Sequence, residues 1–115
     1  MENQVELDEE RLKLRDRFNQ VLLDLMSAEQ DVLDVAYKGG ALSTKIKRLM
    51  SLAIALRAGC TNCILAQTKH ALTAGASKDE ILETLAVVVA MSGTTGIGES
   101  LRVIKLLEEL GELTG

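Results

Sequence analysis

The chain has no proline and no tryptophan, and only one phenylalanine, one tyrosine, one histidine and two cysteines among 115 residues. Each scarcity removes a class of answer. Without proline nothing interrupts a long helical pattern, so amphipathic segments are free to run as helices. Aromatics are 2% of the chain against 47% for hydrophobic residues as a whole, so the interior has to be built from Leu, Ile, Val, Ala and Met. Such a core favours close-packed helices over a sandwich. A formal charge of −4 offers no basic footprint for nucleic acid. The acidic opening, Met1 to Glu10, lacks the basic and apolar regions of a secretory signal, so export is not expected. The longest apolar run, Leu85 to Met91, falls far short of the roughly 20 residues that a membrane helix needs. The expectation is one cytoplasmic all-α domain that engages neither nucleic acid nor membrane. A domain of this size leaves about a third of its unfolded surface exposed, which makes assembly into a homo-oligomer an obvious remedy.

Six helices are expected. Leu12, Leu14, Phe18, Val21, Leu22 and Leu25 recur at helical spacing among charged residues and predict a helix over about residues 8–26. Ser27 is a candidate cap for a second, shorter helix that ends at Gly39-Gly40. That glycine pair marks a hinge between an N-terminal helical arm, residues 1–40, and a core, residues 41–115. Ile46, Leu49, Met50, Ala53 and Ile54 outline a third helix, capped by Ser43 or Thr44 and stopped by Gly59. A fourth begins within Cys60 to Cys63, buries Ile64, Leu65, Ala71 and Leu72, and is closed by Gly75. Ser77 and Glu80 form a capping box that opens a fifth helix through Met91. Ser92 to Gly98, with three glycines, reads as a loop. Its Gly93-Thr-Thr-Gly-Ile-Gly98 faintly resembles a phosphate-cradling turn, but it follows a helix and has no P-loop lysine. A last helix from about Glu99 to Glu112 would bury Leu101, Ile104, Leu106 or Leu107, and Leu110.

The chemistry centres on Gly59-Cys60-Thr61-Asn62-Cys63. Two thiols at this spacing reach each other on the first turn of a helix, where free amides and the macrodipole favour a thiolate. A redox pair, a metal site and two buried thiols all remain open on spacing alone. Zinc would need four ligands, and one chain offers Cys60, Cys63 and His70 plus a carboxylate, a poor set. No metal or cofactor is therefore expected. His70 lies on roughly the same face as Cys63 but about 10 Å along the axis, too far to take its proton directly. Gln67, one turn from Cys63, is in reach of the sulfur but is not a base at neutral pH. Arg48 and Arg57 are cations on the preceding helix that would favour a thiolate if they came near.

The stretch from Leu42 to Ala90 resembles the carboxymuconolactone decarboxylase family, with a closer likeness to its AhpD-like (alkylhydroperoxidase D-like) branch. The resemblance rests on Leu-Ser-Thr-Lys-Ile-Lys-Arg-Leu-Met, Cys-Thr-Asn-Cys-Ile-Leu-Ala and Ala-Leu-Thr-Ala-Gly-Ala-Ser-Lys-Asp-Glu-Ile-Leu-Glu-Thr-Leu-Ala. It implies an all-α homotrimer or homohexamer whose Cys60 and Cys63 cycle between dithiol and disulfide, using a peroxide or disulfide substrate and an external dithiol reductant. The peroxidase pattern in that branch is similar to Glu, eleven residues, Cys-x-x-Cys, three residues, His. Cys60 and Cys63 fit it, whereas Arg48 stands at the glutamate position and Gln67 at the histidine position. Losing a positioned base typically removes about 10² to 10⁴ from a proton-transfer step. Glu80, Glu83, Glu99 and His70 are the candidates to replace it from a neighbouring helix or subunit. A lactone-directed lyase and a non-catalytic assembly module are the alternatives.

Overall fold

The computed structural model describes residues 1–114, which form six α-helices and no strand. They are α1 (Gln4–Val21), α2 (Leu23–Tyr37), α3 (Thr44–Ala58), α4 (Thr61–Thr73), α5 (Lys78–Ser92) and α6 (Thr94–Glu109). None of these helices is long and apolar enough to cross a membrane.

The helices of the core start and stop for local reasons. Ser43 Oγ accepts the Ile46 amide at 3.1 Å and so begins α3. At α5, Ser77 Oγ accepts the Glu80 amide while Glu80 Oε1 accepts the Ser77 amide, the reciprocal arrangement the sequence predicts. Leu52 and Leu56 of α3, Ile64 and Ala71 of α4, Ile81 and Leu85 of α5, and Val103 and Leu107 of α6 meet in one aliphatic cluster. Full burial of one leucine or isoleucine contributes about 1.5–3 kcal/mol.

The N-terminal boundaries differ from expectation. Instead of one helix over residues 8–26, α1 starts at Gln4 and α2 at Leu23, with Ser27 inside α2 rather than capping it. Asn3 caps the Glu6 amide, and Glu109 of α6 accepts the Gln4 and Val5 amides at 2.8 and 2.9 Å. A carboxylate from the far end of the sequence thus satisfies the open end of α1, a favourable place for negative charge. The break falls at Leu22, whose ψ of 49° leaves the helical region with neither glycine nor proline to announce it.

Polar contacts, more than apolar burial, hold α1 in place. Leu12, Leu14 and Phe18 are exposed, while Gln4 and Asp8 are its buried residues. Asp8, 1% exposed, receives Arg11 Nε at 2.8 Å and Lys69 Nζ of α4 at 2.8 Å. Burial pushes the Asp8 pKa upward, but the hydrogen bonds from Lys69 and Arg11 outweigh it and leave the group below its usual 3.8.

The expected loop at Ser92 to Gly98 is also corrected. Only Gly93 breaks the chain, and α6 is already helical at Thr94. Gly96 is buried where α6 crosses α5, and a Cβ built there would stand 2.9 Å from the Val88 carbonyl oxygen. The glycines permit close helix packing instead of forming a phosphate-binding turn. Two apolar patterns shift as well. Ile46, Met50 and Ile54 face outward while Leu52, Ala55 and Leu56 carry the inner face of α3, and in α6 Val103 is buried while Leu101 and Leu110 are exposed.

Gly96→Ala should destabilise the fold by about 1–3 kcal/mol, because the added methyl group meets backbone that has no rotamer to yield; chemical denaturation measures it. Asp8→Asn should cost about 1–3 kcal/mol at neutral pH. Since the folded pKa of Asp8 is lowered, the wild-type advantage is present above pH 3.8 and is lost as pH falls through the lower, folded value. Denaturation of wild type and Asp8→Asn from about pH 2 to about pH 7, which spans the carboxylate range, tests this sign.

Candidate active site

The two sulfurs sit where one helix ends and the next begins. Gly59 closes α3 at φ +70°, ψ +30°. Its amide donates to Leu56 O at 3.2 Å and the Cys60 amide to Ala55 O at 3.2 Å, which satisfies the last carbonyls of α3. A side chain at residue 59 would strain this left-handed turn. Cys60 is then at once the N-cap of α4, its Sγ accepting the Cys63 amide at 3.2 Å. A single residue therefore separates the end of α3 from the cap of α4.

Cys60 and Cys63 are joined as a disulfide, with Cα atoms 5.2 Å apart. The positive end of the α4 dipole lies beneath both, so a thiolate released on reduction meets a favourable field. Cys60 is half-buried and Cys63 exposed. Cys63 opens onto a cavity of about 470 Å³, together with Arg11, Arg15 and Phe18 of α1, Met26 of α2 and Gln67 of α4.

Gln67 joins this cavity to a larger one of about 780 Å³ that also takes in Tyr37, Lys38, Arg48 and His70. Arg11, Arg15, Glu29 and Ala66 line both, so the two form one groove roofed by α1 and α2. Within it Arg48 Nη1 donates to Gln67 Oε1 at 3.2 Å, and the guanidinium carbon lies 3.5 Å from the centroid of the Tyr37 ring. The Tyr37 hydroxyl in turn hydrogen-bonds Ser51 of α3. Arg48 is thus clamped by a stacked ring and an amide.

The residues singled out in the sequence fall into separate places. Cys60 and Cys63 come together, and Arg48 meets Gln67 and shares the larger cavity with His70. His70 does not line the cavity onto which Cys63 opens. Although His70 is exposed at its edge, partial desolvation lowers its pKa from 6.5, with the Arg48, Arg11 and Lys69 charges adding to the effect and Asp8 opposing it. Arg57 lies elsewhere, in an apolar groove between α3 and α5 beside Ile54, Val87 and Met91. Glu80 is committed to its cap and to Lys45 at 2.8 Å. Glu99 of α6 comes to the edge of the dithiol turn, its Oε1 3.9 Å from where a Cβ on Gly59 would stand. Among the described residues, no three His, Cys, Asp or Glu side chains gather in a group that could hold a metal ion.

Arg11 and Arg15 are lining residues that sequence reasoning does not single out from the other charged residues of the first helix. Their spacing of four residues puts them on one side of α1. Nothing local indicates that α1 lays this side over residues some fifty positions away.

Comparison with known proteins agrees with this architecture. A carboxymuconolactone decarboxylase family protein from Legionella pneumophila, solved in its apo form, superposes with a TM-score of 0.86 at 25% identity over 92% of this chain and 95% of its own. A Thermotoga maritima protein superposes at 0.75 with 31% identity, over 88% of this chain and 92% of its own. An uncharacterized Cupriavidus necator protein is 37% identical over 71 residues, a match spanning 62% of this chain and 63% of that relative. Residues 24–106 match the carboxymuconolactone decarboxylase family. Across most of its length, dithiol turn included, the chain belongs to that family.

Proposed function

We propose that the protein is a CxxC-dependent thiol–disulfide oxidoreductase of the AhpD-like type, able to reduce peroxides with an atypical proton relay. The observation that carries this reading is the bonded Cys60–Cys63 pair at a helix N-terminus, with Cys63 facing an open groove. Membership of the family and the CxxC spacing support it.

Exposure assigns the two sulfurs different work. Reduced Cys63 attacks first, because it is the sulfur the groove reaches. With a peroxide ROOH, the Cys63 thiolate attacks the O–O bond, giving a sulfenic acid and, after protonation, ROH. The Cys60 thiolate then displaces hydroxide from that sulfur, which takes a proton and leaves as water, and the disulfide closes. An external dithiol reopens it by attacking Cys63, so that Cys60 departs as a thiolate held by the Cys63 amide. Since Arg48 and Gln67 replace an acid–base pair, peroxide turnover is the slower reaction and dithiol exchange the faster. The reading includes assembly into a homo-oligomer. Ile54, 68% exposed, and Met91, 83% exposed, are apolar surface that a second copy would cover.

Mild hydrogen peroxide should remove two titratable thiols per chain and dithiothreitol should restore them. Cys63→Ser should abolish thiol-dependent peroxide consumption, whereas Cys60→Ser should stop after one turnover with Cys63 as a sulfenic acid or mixed disulfide. Unchanged peroxide consumption in both variants would overturn the reading. Light scattering in solution checks the assembly, with a trimer or hexamer expected.

A further inference from the structure

We propose that Arg48 is the seat for an anionic group of the substrate, so that the dithiol selects small carboxylate-bearing disulfides over neutral or cationic ones. The proposal rests on the thiol–disulfide reading above and adds the chemistry that the groove recognises.

Three observations carry it. The first is the state of the charge. Among the described residues no Asp or Glu lies within ion-pair distance of Arg48, whereas Arg11 is bound to Asp8 and Arg15 to Glu29. Arg48 is a half-buried cation whose only hydrogen-bond partner among the described residues is a neutral amide. Stacking on Tyr37 fixes the guanidinium plane and leaves N–H groups along its edge, the geometry that grips a carboxylate with two parallel hydrogen bonds.

The second is the sign of the surroundings. The chain as a whole carries 17 acidic against 13 basic residues. The larger cavity is lined by Arg11, Arg15, Lys38 and Arg48 against Glu29 and Asp34, and with Arg11 paired to Asp8 and Arg15 to Glu29 the cations left over are Lys38 and Arg48 against Asp34. Glu29 is already paired with Arg15, and Asp34 accepts from Gln30 at 2.8 Å, so neither carboxylate is aimed at Arg48. A local field opposite to the net charge of the protein attracts anions to this cleft.

The third is distance from the sulfurs. Gln67 is one helical turn beyond Cys63, about 6 Å, and lines both halves of the groove. Its Oε1 is occupied by Arg48, which leaves its amide N–H groups free to donate. A carboxylate on Arg48 and Gln67 leaves a chain of a few bonds to reach from there to Cys63.

The chemistry balances without a further reagent. The Cys63 thiolate attacks one sulfur of a disulfide RSSR, the S–S bond breaks, and RS⁻ leaves and takes up a proton. The Cys60 thiolate then attacks Cys63 Sγ and expels the second RS⁻, which is protonated in turn. The protein dithiol loses two electrons, RSSR gains them, and the two thiol protons end on two RSH.

The test uses the reduced full chain with three small disulfides: dianionic 3,3′-dithiodipropionate, neutral 2-hydroxyethyl disulfide and dicationic cystamine. Each rate is divided by that of the same disulfide with dithiothreitol, which removes intrinsic leaving-group differences. The dianion should react about tenfold faster than the neutral compound, a single charge-assisted contact. The advantage should shrink as salt is raised. Arg48→Gln should bring the dianion-to-neutral ratio to about one, and Arg48→Glu should invert it. Lys13→Gln, an equal charge change at an exposed site outside both cavities, should leave the ratio unaltered.

Binding is read separately with 3,3′-thiodipropionate, a thioether dicarboxylate that cannot exchange. It should shift the His70 imidazole resonances in wild type and raise their titration midpoint, because a bound carboxylate offsets the Arg48 charge that holds the midpoint down. Arg48→Gln should abolish the dependence on ligand. If wild type shows no charge preference, if Arg48→Gln retains one, or if thiodipropionate leaves His70 unmoved, the anion seat is wrong even though exchange proceeds. Absence of exchange with all three disulfides, with thiodipropionate still bound through Arg48, would instead overturn the dithiol reading.

Discussion

Everything chemical in this protein depends on the turn that fuses the end of α3 to the start of α4. A helix normally needs several residues to satisfy its last carbonyls and several more to cap the next helix. Here Gly59 does the first in the left-handed region and Cys60 begins the second immediately. The two helices carry Leu52, Leu56 and Ile64 into the same core, so the turn is gripped from both sides. The dithiol is therefore presented on rigid elements instead of a loop. Both sulfurs share one helix end, and Cys63 is the more exposed residue, which makes the pair asymmetric before any substrate arrives.

The groove over that turn exists because α1 is docked by charge. A helix that buried its apolar stripe would press Leu14 and Phe18 into the core and exclude solvent. Instead Glu109 holds the α1 amides, while Asp8 ties α1 to Lys69. These ties anchor the N-terminal half of α1 and leave the C-terminal half, with Arg15 and Phe18, standing off the surface of α4. Leu12, Leu14 and Phe18 of α1 stay exposed beside these polar ties.

What was legible in the sequence followed from local signals. Ser43, Gly59, Ser77 with Glu80, and the CxxC at a helix start each act through neighbours within a few residues, and each stands where the sequence places it. What was not legible depended on distant partners. The start of α1 needs a carboxylate from Glu109, more than a hundred residues away. Ser92 to Gly98 has the composition of a loop, and only the nearness of Val88 shows that Gly96 serves a helix crossing. Of the apolar pattern that outlines α3, Leu49 and Ala53 pack against the core while Ile46, Met50 and Ile54 face outward, because α3 is apolar on both sides and periodicity alone does not say which side finds a partner. Arg11 and Arg15 looked like ordinary solvated charge for the same reason.

Arg48 and Gln67 act as one unit, because the guanidinium donates to the amide oxygen. A carboxylate and an imidazole in these positions would form a relay that accepts and returns protons. Replacing only the first would set a guanidinium beside an imidazole, and replacing only the second would leave a carboxylate with no one to pass its proton to. With both replaced, the carbonyl of Gln67 accepts from Arg48, Tyr37 supports the guanidinium, and the site becomes a fixed dipole and charge. Neither Arg48 nor Gln67 takes up a proton at neutral pH, and the guanidinium is the charge that an anion in the groove would meet. Partial desolvation and the same cation lower the pKa of the nearby His70. A fixed cation without a general base suits the proposed thiol–disulfide exchange, in which a thiolate stabilised by a helix end would attack without a dedicated base.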